Sequence, residues 1–178
     1  YESDTLDLSG TGMDPGHIVI LSWWLTTEFS AAVDAVVLSG NLLLGNRDVQ
    51  SREEYDQHGD TMPCDYGGFN SFCEALKPTS IKHLDLSECR LDASATSSLA
   101  DAIKLMGAIN LLTLSSTGNM RDQKTYTLTA GEEKIDLSQK NLGSADVTLL
   151  TSWLQRPEVT GAIASLNCSQ NDAITGKR

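Results

Sequence analysis

Leu84-Asp-Leu-Ser-Glu-Cys-Arg-Leu91 and Ile135-Asp-Leu-Ser-Gln-Lys-Asn-Leu142 carry apolar residues at the first, third and eighth positions and serine at the fourth. The kernel of the phrase, apolar-x-apolar-Ser, occurs six times: Leu6-Asp-Leu-Ser9, Val36-Val-Leu-Ser39, Leu84-Asp-Leu-Ser87, Leu112-Thr-Leu-Ser115, Ile135-Asp-Leu-Ser138 and Leu166-Asn-Cys-Ser169. Alternation with a period of two marks a short strand with one buried face. The starts at 6, 36, 84, 112, 135 and 166 leave gaps of 30, 48, 28, 23 and 31 residues. Three nearly equal gaps define one unit, the gap of 48 holds an insertion and the gap of 23 a deletion. Self-similarity at such a period is the mark of a repeat architecture.

Two residues past the serine stands a short side chain that can bond to backbone: Thr11, Asn41, Cys89, Thr117 and Asn171, with Lys140 the exception. The long gaps have room for helices. Asp14-Pro15 reads as a cap followed by proline at the first helical position, and Ile18, Leu21, Trp24 and Leu25 follow at helical spacing. Leu99, Ile103 and Met106 repeat the pattern over 92–106, as do Val147, Leu150 and Leu154 over 144–154. Segment 6–41 aligns with 135–171 at an offset of 129, then 130, pairing Trp24 with Trp153 and Asn41 with Asn171. Segment 84–117 is a third copy, so the chain reads as strand-helix-strand units joined by two connectors.

The first connector, 46–68, is acidic and rich in turn residues and reads as an exposed inserted loop, after which Asn70 to Lys77 supplies a short helix. In the second, 118–134, Thr125-Tyr-Thr-Leu-Thr129 is a strand followed by a turn, so a hairpin replaces a helix there.

These residues resemble the strand-and-turn signature of leucine-rich repeats, and the spacing of 28 to 31 with a full helix is similar to the ribonuclease-inhibitor subclass. The phrasing also resembles repeat proteins of single-celled algae such as dinoflagellates. The resemblance implies an α/β solenoid, a horseshoe of about six coils spanning residues 1–178 as a single domain. A parallel β-sheet would line its concave face and helices its convex face. Physics points the same way, because a lone strand-helix unit cannot bury its apolar stripe and must stack. Lys140 and the shortened coil depart from the pattern.

The chain has 178 residues with 13 basic and 24 acidic side chains, a formal charge of −11. Without a basic excess there is no counterion release to drive nucleic-acid affinity, so nucleic acid is not an expected partner. The longest apolar run, Ile18 to Leu25, is far short of a membrane span. No signal peptide is visible, and the expected setting is intracellular and cytoplasmic, although a processed, exported chain would look the same. Four cysteines are too sparse for a disulfide scaffold.

No phosphate loop, nucleophile elbow or zinc-protease motif is present in the sequence. His58, Cys64 and Cys73 fit none of the usual zinc spacings, and the metal reading ranks below a solvated loop. A Cys64–Cys73 disulfide is the better alternative. Asn167-Cys-Ser169 matches a glycosylation acceptor but falls inside a strand. Trp23 and Trp24 cannot both face the sheet: Trp24 is assigned to the core, leaving Trp23 partly exposed on the convex side, where packing against a neighbouring helix is favoured over anchoring a partner.

Asp7, Asp85 and Asp136 fill the x of the motif and must point away from the core, beside Val37, Thr113 and Asn167 in the other coils; His83 lies next to them. This phrasing is common among such repeats, and it also makes an acidic stripe able to meet a basic surface. The expected function is a non-enzymatic protein–protein interaction module that needs no cofactor or metal and binds a protein partner on its concave sheet. A structural subunit or fragment held in a larger assembly is the alternative.

Overall fold

The computed structural model describes residues 4–45 and 64–175. Along them run β1 (Thr5–Asp7), α1 (Pro15–Leu25), a 3-10 turn (Glu28–Ala32), β2 (Ala35–Val37), α2 (Tyr66–Leu76), β3 (His83–Leu86), α3 (Ala93–Ile103), β4 (Leu111–Ser115), β5 (Thr125–Thr129), β6 (Lys134–Asp136), α4 (Ser144–Leu154), α5 (Pro157–Thr160), β7 (Ser165–Asn167) and α6 (Asp172–Thr175). The architecture is mixed α/β with a parallel-rich sheet.

β1 to β4 lie side by side in parallel in chain order, with Leu6, Val36, Leu84 and Leu112 in register. Each points inward because alternation leaves it no other way to reach the apolar side, and all but the edge residue Leu6 are fully buried. Leu38, Leu86 and Leu114 form the next buried rung. Helices α1 to α4 pack against one another in sequence and cover this face. Asp14 caps α1 by accepting from the His17 N–H at 3.0 Å, as the Asp-Pro signal predicts. Asp92 caps α3 through Oδ1, while its Oδ2 accepts the Tyr66 hydroxyl of α2 at 2.5 Å. At Gly68 a Cβ would stand 2.6 Å from the Pro15 carbonyl and 2.7 Å from Ile18, so glycine sets how closely α1 and α2 meet.

The turns after the strands repeat in backbone and side chain. The residue after the motif serine is left-handed in five coils: Gly10, Gly40, Glu88, Gln139 and Gln170, with φ between 57° and 72°. Next comes the short bonding residue. Asn41, 1% exposed, donates to the Leu8 and Leu38 carbonyls and accepts the Met13 N–H, all at 2.8–2.9 Å. Asn171 does the same for the Leu137 and Cys168 carbonyls and the Leu142 N–H. Cys89 donates its thiol to the Leu38 carbonyl at 3.1 Å. Where Lys140 breaks the pattern, the next residue, Asn141, bonds instead to the Asn119 and Asp122 carbonyls.

The sheet does not continue through all the motif strands. β5 pairs antiparallel with β4 along its whole length, Leu111 opposite Thr129 and Ser115 opposite Thr125, and so occupies the edge a further parallel strand would need. β6 pairs only with β7, as a separate two-stranded parallel sheet. The short gap of 23 residues is thus filled by a hairpin in place of a helix, but its partner is the preceding β4 and not the strand at Ile135 into which the turn leads, and the hairpin divides the sheet. The two parts meet at Asp146. This carboxylate, 1% exposed, accepts from the Thr117 N–H and hydroxyl, the Gly143 N–H and the Tyr126 hydroxyl at 2.7–2.9 Å. Backbone contact there is close, since a Cβ on Gly118 would lie 2.4 Å from the Asn141 carbonyl.

Several expectations are corrected. α2 begins at Tyr66, so the helix starts inside the stretch read as loop; residues 46–63, including His58, lie outside the described residues. The Cys64–Cys73 disulfide, weighed only as an alternative to reduced thiols, is not formed, and the two carry separate thiols. Trp153 is fully buried while Trp24 is only partly so, and Val147 is 36% exposed. The reason is rotation. α1 buries Ile18, Leu21, Ser22 and Leu25, whereas α4 buries Asp146, Leu149, Leu150 and Trp153, so the faces differ by one residue although the helices start in alignment. Trp23 is 67% exposed rather than packed on a neighbour.

Asn41→Ala strips partners from three buried backbone groups, and is expected to cost about 2 to 3 kcal/mol in urea unfolding, with Asn171→Ala similar. Gly40→Ala is expected to lose about 1 kcal/mol at a left-handed position, and Glu88→Gly to gain about 0.5 kcal/mol, in the same measurement. Burial, and then the neighbouring Asp146, push the Tyr126 hydroxyl well above its ordinary value of about 10. The native state therefore keeps this proton where the unfolded chain releases it, so the stability it contributes is complete below pH 10 and falls as pH rises beyond. Tyr126→Phe should flatten that alkaline loss in pH-dependent melting while costing about 1 kcal/mol at neutral pH.

Candidate interaction surface

The face of the main sheet turned away from the helices is built by the second residue of each motif. Register sets Asp7, Val37, Asp85, Thr113 and Thr127 in one row across β1 to β5. Inter-strand spacing puts Asp7 and Asp85 about 10 Å apart. His83, half-buried, lies on the same face one row over, in register with Ala35 and Leu111. Asp136 and Asn167 are opposite each other and exposed on the two-stranded sheet. Of the residues singled out from sequence, four fall in one row, His83 flanks it, and two form a second group beyond the sheet break.

The acidic positions also have a local task. Oδ1 of Asp7, Asp85 and Asp136 accepts the N–H of the serine two residues on, at 2.8–2.9 Å, and Asn167 does so at 3.0 Å. This bond starts the turn into the left-handed residue that follows. The Ser9 N–H holds the Asp7 carboxyl below its ordinary range, and the Ser138 hydroxyl and N–H do the same for Asp136. Both are anionic at neutral pH.

Thr127 was not foreseen as a member of the row, because the sequence shows a strand at 125–129 but not its antiparallel register. Its hydroxyl stands 3.2 Å from that of Thr113. Beyond the strand ends lies a cleft of about 480 Å³ lined by Gly40, Leu42, Glu88, Arg90, Met120 and Gln123. Gln123 fixes its wall by donating to the Leu91 and Ser116 carbonyls. The cleft could not be read from sequence, since it is assembled from the turns after β2 and β3 and from the hairpin loop.

Cys73 and Cys89 are buried, and desolvation pushes both thiols up to about 12, which makes them poor nucleophiles at neutral pH. Among the described residues no group of three His, Cys, Asp or Glu side chains gathers to hold a metal, and no helix is long and apolar enough to cross a membrane. Arg156, 4% exposed, lies over the Trp153 ring at 4.6 Å, donates to the Ile109 carbonyl and pairs with Glu158. It joins α4 to the loop before β4.

The outer face thus offers hydrogen-bond acceptors and negative charge on a rigid ladder. Comparison of the chain with protein-family models and with curated proteins finds no match.

Proposed function

We propose that the chain is a leucine-rich-repeat solenoid acting as a non-enzymatic protein-interaction module, with the outer sheet face as its concave surface. It binds a protein partner that presents basic side chains. Asp7, Val37, His83, Asp85, Thr113, Asp136 and Asn167 form the contact region. The observation that carries this reading is the single row of Asp7, Val37, Asp85 and Thr113, held in register on neighbouring strands. Loops of variable shape are not needed to aim these groups, so little ordering entropy opposes binding. Cationic groups about 10 Å apart on the partner would match the two carboxylates. The thiols, none of them in a disulfide, fit a reducing, intracellular setting.

A second reading, an assembly subunit, has one observation in its favour. β7 is exposed on both faces, leaving Leu166 42% and Ile174 38% exposed where a further coil would cover them. Light scattering separates the two: a monomer supports the recognition module, and an assembly dispersed by Leu166→Ser with Ile174→Ser supports the subunit.

The sheet face is tested by replacing Asp7, Asp85 and Asp136 together with asparagine. Asn167 already shows that asparagine keeps the serine N–H bond, so the melting temperature should hold while three charges vanish. Capture of a partner from native extract by the parent chain should be lost with this variant and weakened by salt. Equal capture by both would remove the sheet face as the binding surface.

A further inference from the structure

α1 differs from the other packed helices in what it shows to water. When α1 and α4 are superposed by their buried positions, Val19, Ile20 and Trp23 correspond to Val147, Thr148 and Thr151. α2 shows Asn70, Ser71 and Glu74 on its exposed side, and α3 shows Ser94, Ser97 and Asp101. The architecture is therefore satisfied by polar side chains at the positions of Ile20 and Trp23, and nothing in the packing of α1 asks for isoleucine or tryptophan there. Yet Val19 is 49%, Ile20 65% and Trp23 67% exposed, and Phe29, in the 3-10 turn that packs on α1, is 74% exposed. Large side chains left bare together on one face mark a contact surface.

The formal charge of this stretch of the chain has one sign. Residues 1–46 contain Glu2, Asp4, Asp7, Asp14, Glu28 and Asp34 and neither lysine nor arginine. The one titratable side chain of α1 is His17, which pairs with Asp14 at its N-terminus, and Glu28 follows its C-terminus beside Phe29. The carbonyl end of the helix adds to the negative potential at Glu28.

We propose that the outer face of α1, with Phe29, docks a cationic amphipathic helix of a partner protein. Its apolar stripe covers Ile20, Trp23 and Phe29, and its lysines or arginines reach Glu28 and the carbonyl end of α1. Charge selects this occupant over others. A second copy would bring a chain of charge −11 against another, with the same acidic rim on both sides, and an anionic lipid surface would be repelled likewise. This surface is on the helical side of the sheet, away from the Asp7–Thr113 row, so the two sites are tested independently.

The test is calorimetric titration of the chain with a helical peptide of about 14 residues, leucines on one face and lysines on the other. Two controls accompany it: the same pattern with glutamate for lysine, and the leucine/lysine composition scrambled. Saturable binding is expected for the patterned leucine/lysine peptide alone. Ile20→Thr with Trp23→Thr, which installs the residues α4 carries, should leave the melting temperature within a few degrees and weaken binding by about tenfold or more. Glu28→Lys should weaken binding several-fold and reduce its salt dependence. Equal binding of the glutamate or scrambled peptide, or unchanged affinity in the threonine double variant, overturns the proposal. So does concentration-dependent dimerisation abolished by that variant, which assigns the face to a second copy, or its partition onto neutral phosphatidylcholine vesicles, which assigns it to lipid.

Discussion

Short strands that give way at once to turns leave N–H and C=O groups facing the interior, where water cannot reach them. The molecule depends on a side chain to answer those groups at each turn. Asn41 and Asn171 are the fullest solutions, each joining three backbone groups from two coils. An unanswered carbonyl there would cost as much as a well-packed leucine contributes, so apolar stacking alone could not hold the coils in register. The left-handed residue before each asparagine or cysteine belongs to the same device. It turns the chain sharply enough to aim that side chain back at the preceding coil, and two coils accept the strain of Glu88 or Gln170 to keep the geometry.

Where the repeat is irregular, the same requirement is met by a different atom. The hairpin of β4 and β5 leaves Thr117 and Gly143 with amides in the interior, and the Asp146 carboxylate answers both, with a threonine and a tyrosine hydroxyl completing its shell. A carboxylate buried to this degree is tolerable because four donors replace its water. In α1 the corresponding core position is Ile18. A single substitution of apolar for acidic at a repeat position thus separates a regular joint from the one that carries the hairpin.

Much of this was legible in the chain itself. The six motif strands fall where the apolar-x-apolar-Ser phrase puts them, and Asp14-Pro15 starts α1 as read. Asn41 and Asn171, matched by alignment, make the same bonds. Three things were hidden, each for a physical reason. Helical faces are set by packing, so α4 turned by one residue and took Trp153 inside while Trp24 stayed at the margin. The register of β5 depends on which edge is open, which no local pattern records. The outward Asp side chains look like recognition groups in sequence, yet each also initiates its own turn, a bond visible only once the backbone is in place. Of the candidate surface, the Asp7–Thr113 row was readable; Thr127 and the cleft were not.

The division of the sheet has a mechanical meaning. Helices α1 to α4 run as one layer past the line where β5 and β6 fail to pair, so the molecule has a crease on one side and an unbroken covering on the other. Bending about that line would stretch no ladder bond within either sheet; it would be resisted by the helix contacts and by the short spokes radiating from Asp146. The angle between the Asp136–Asn167 plate and the longer row is therefore set by side chains and helix packing, with no shared ladder of strand hydrogen bonds to fix it.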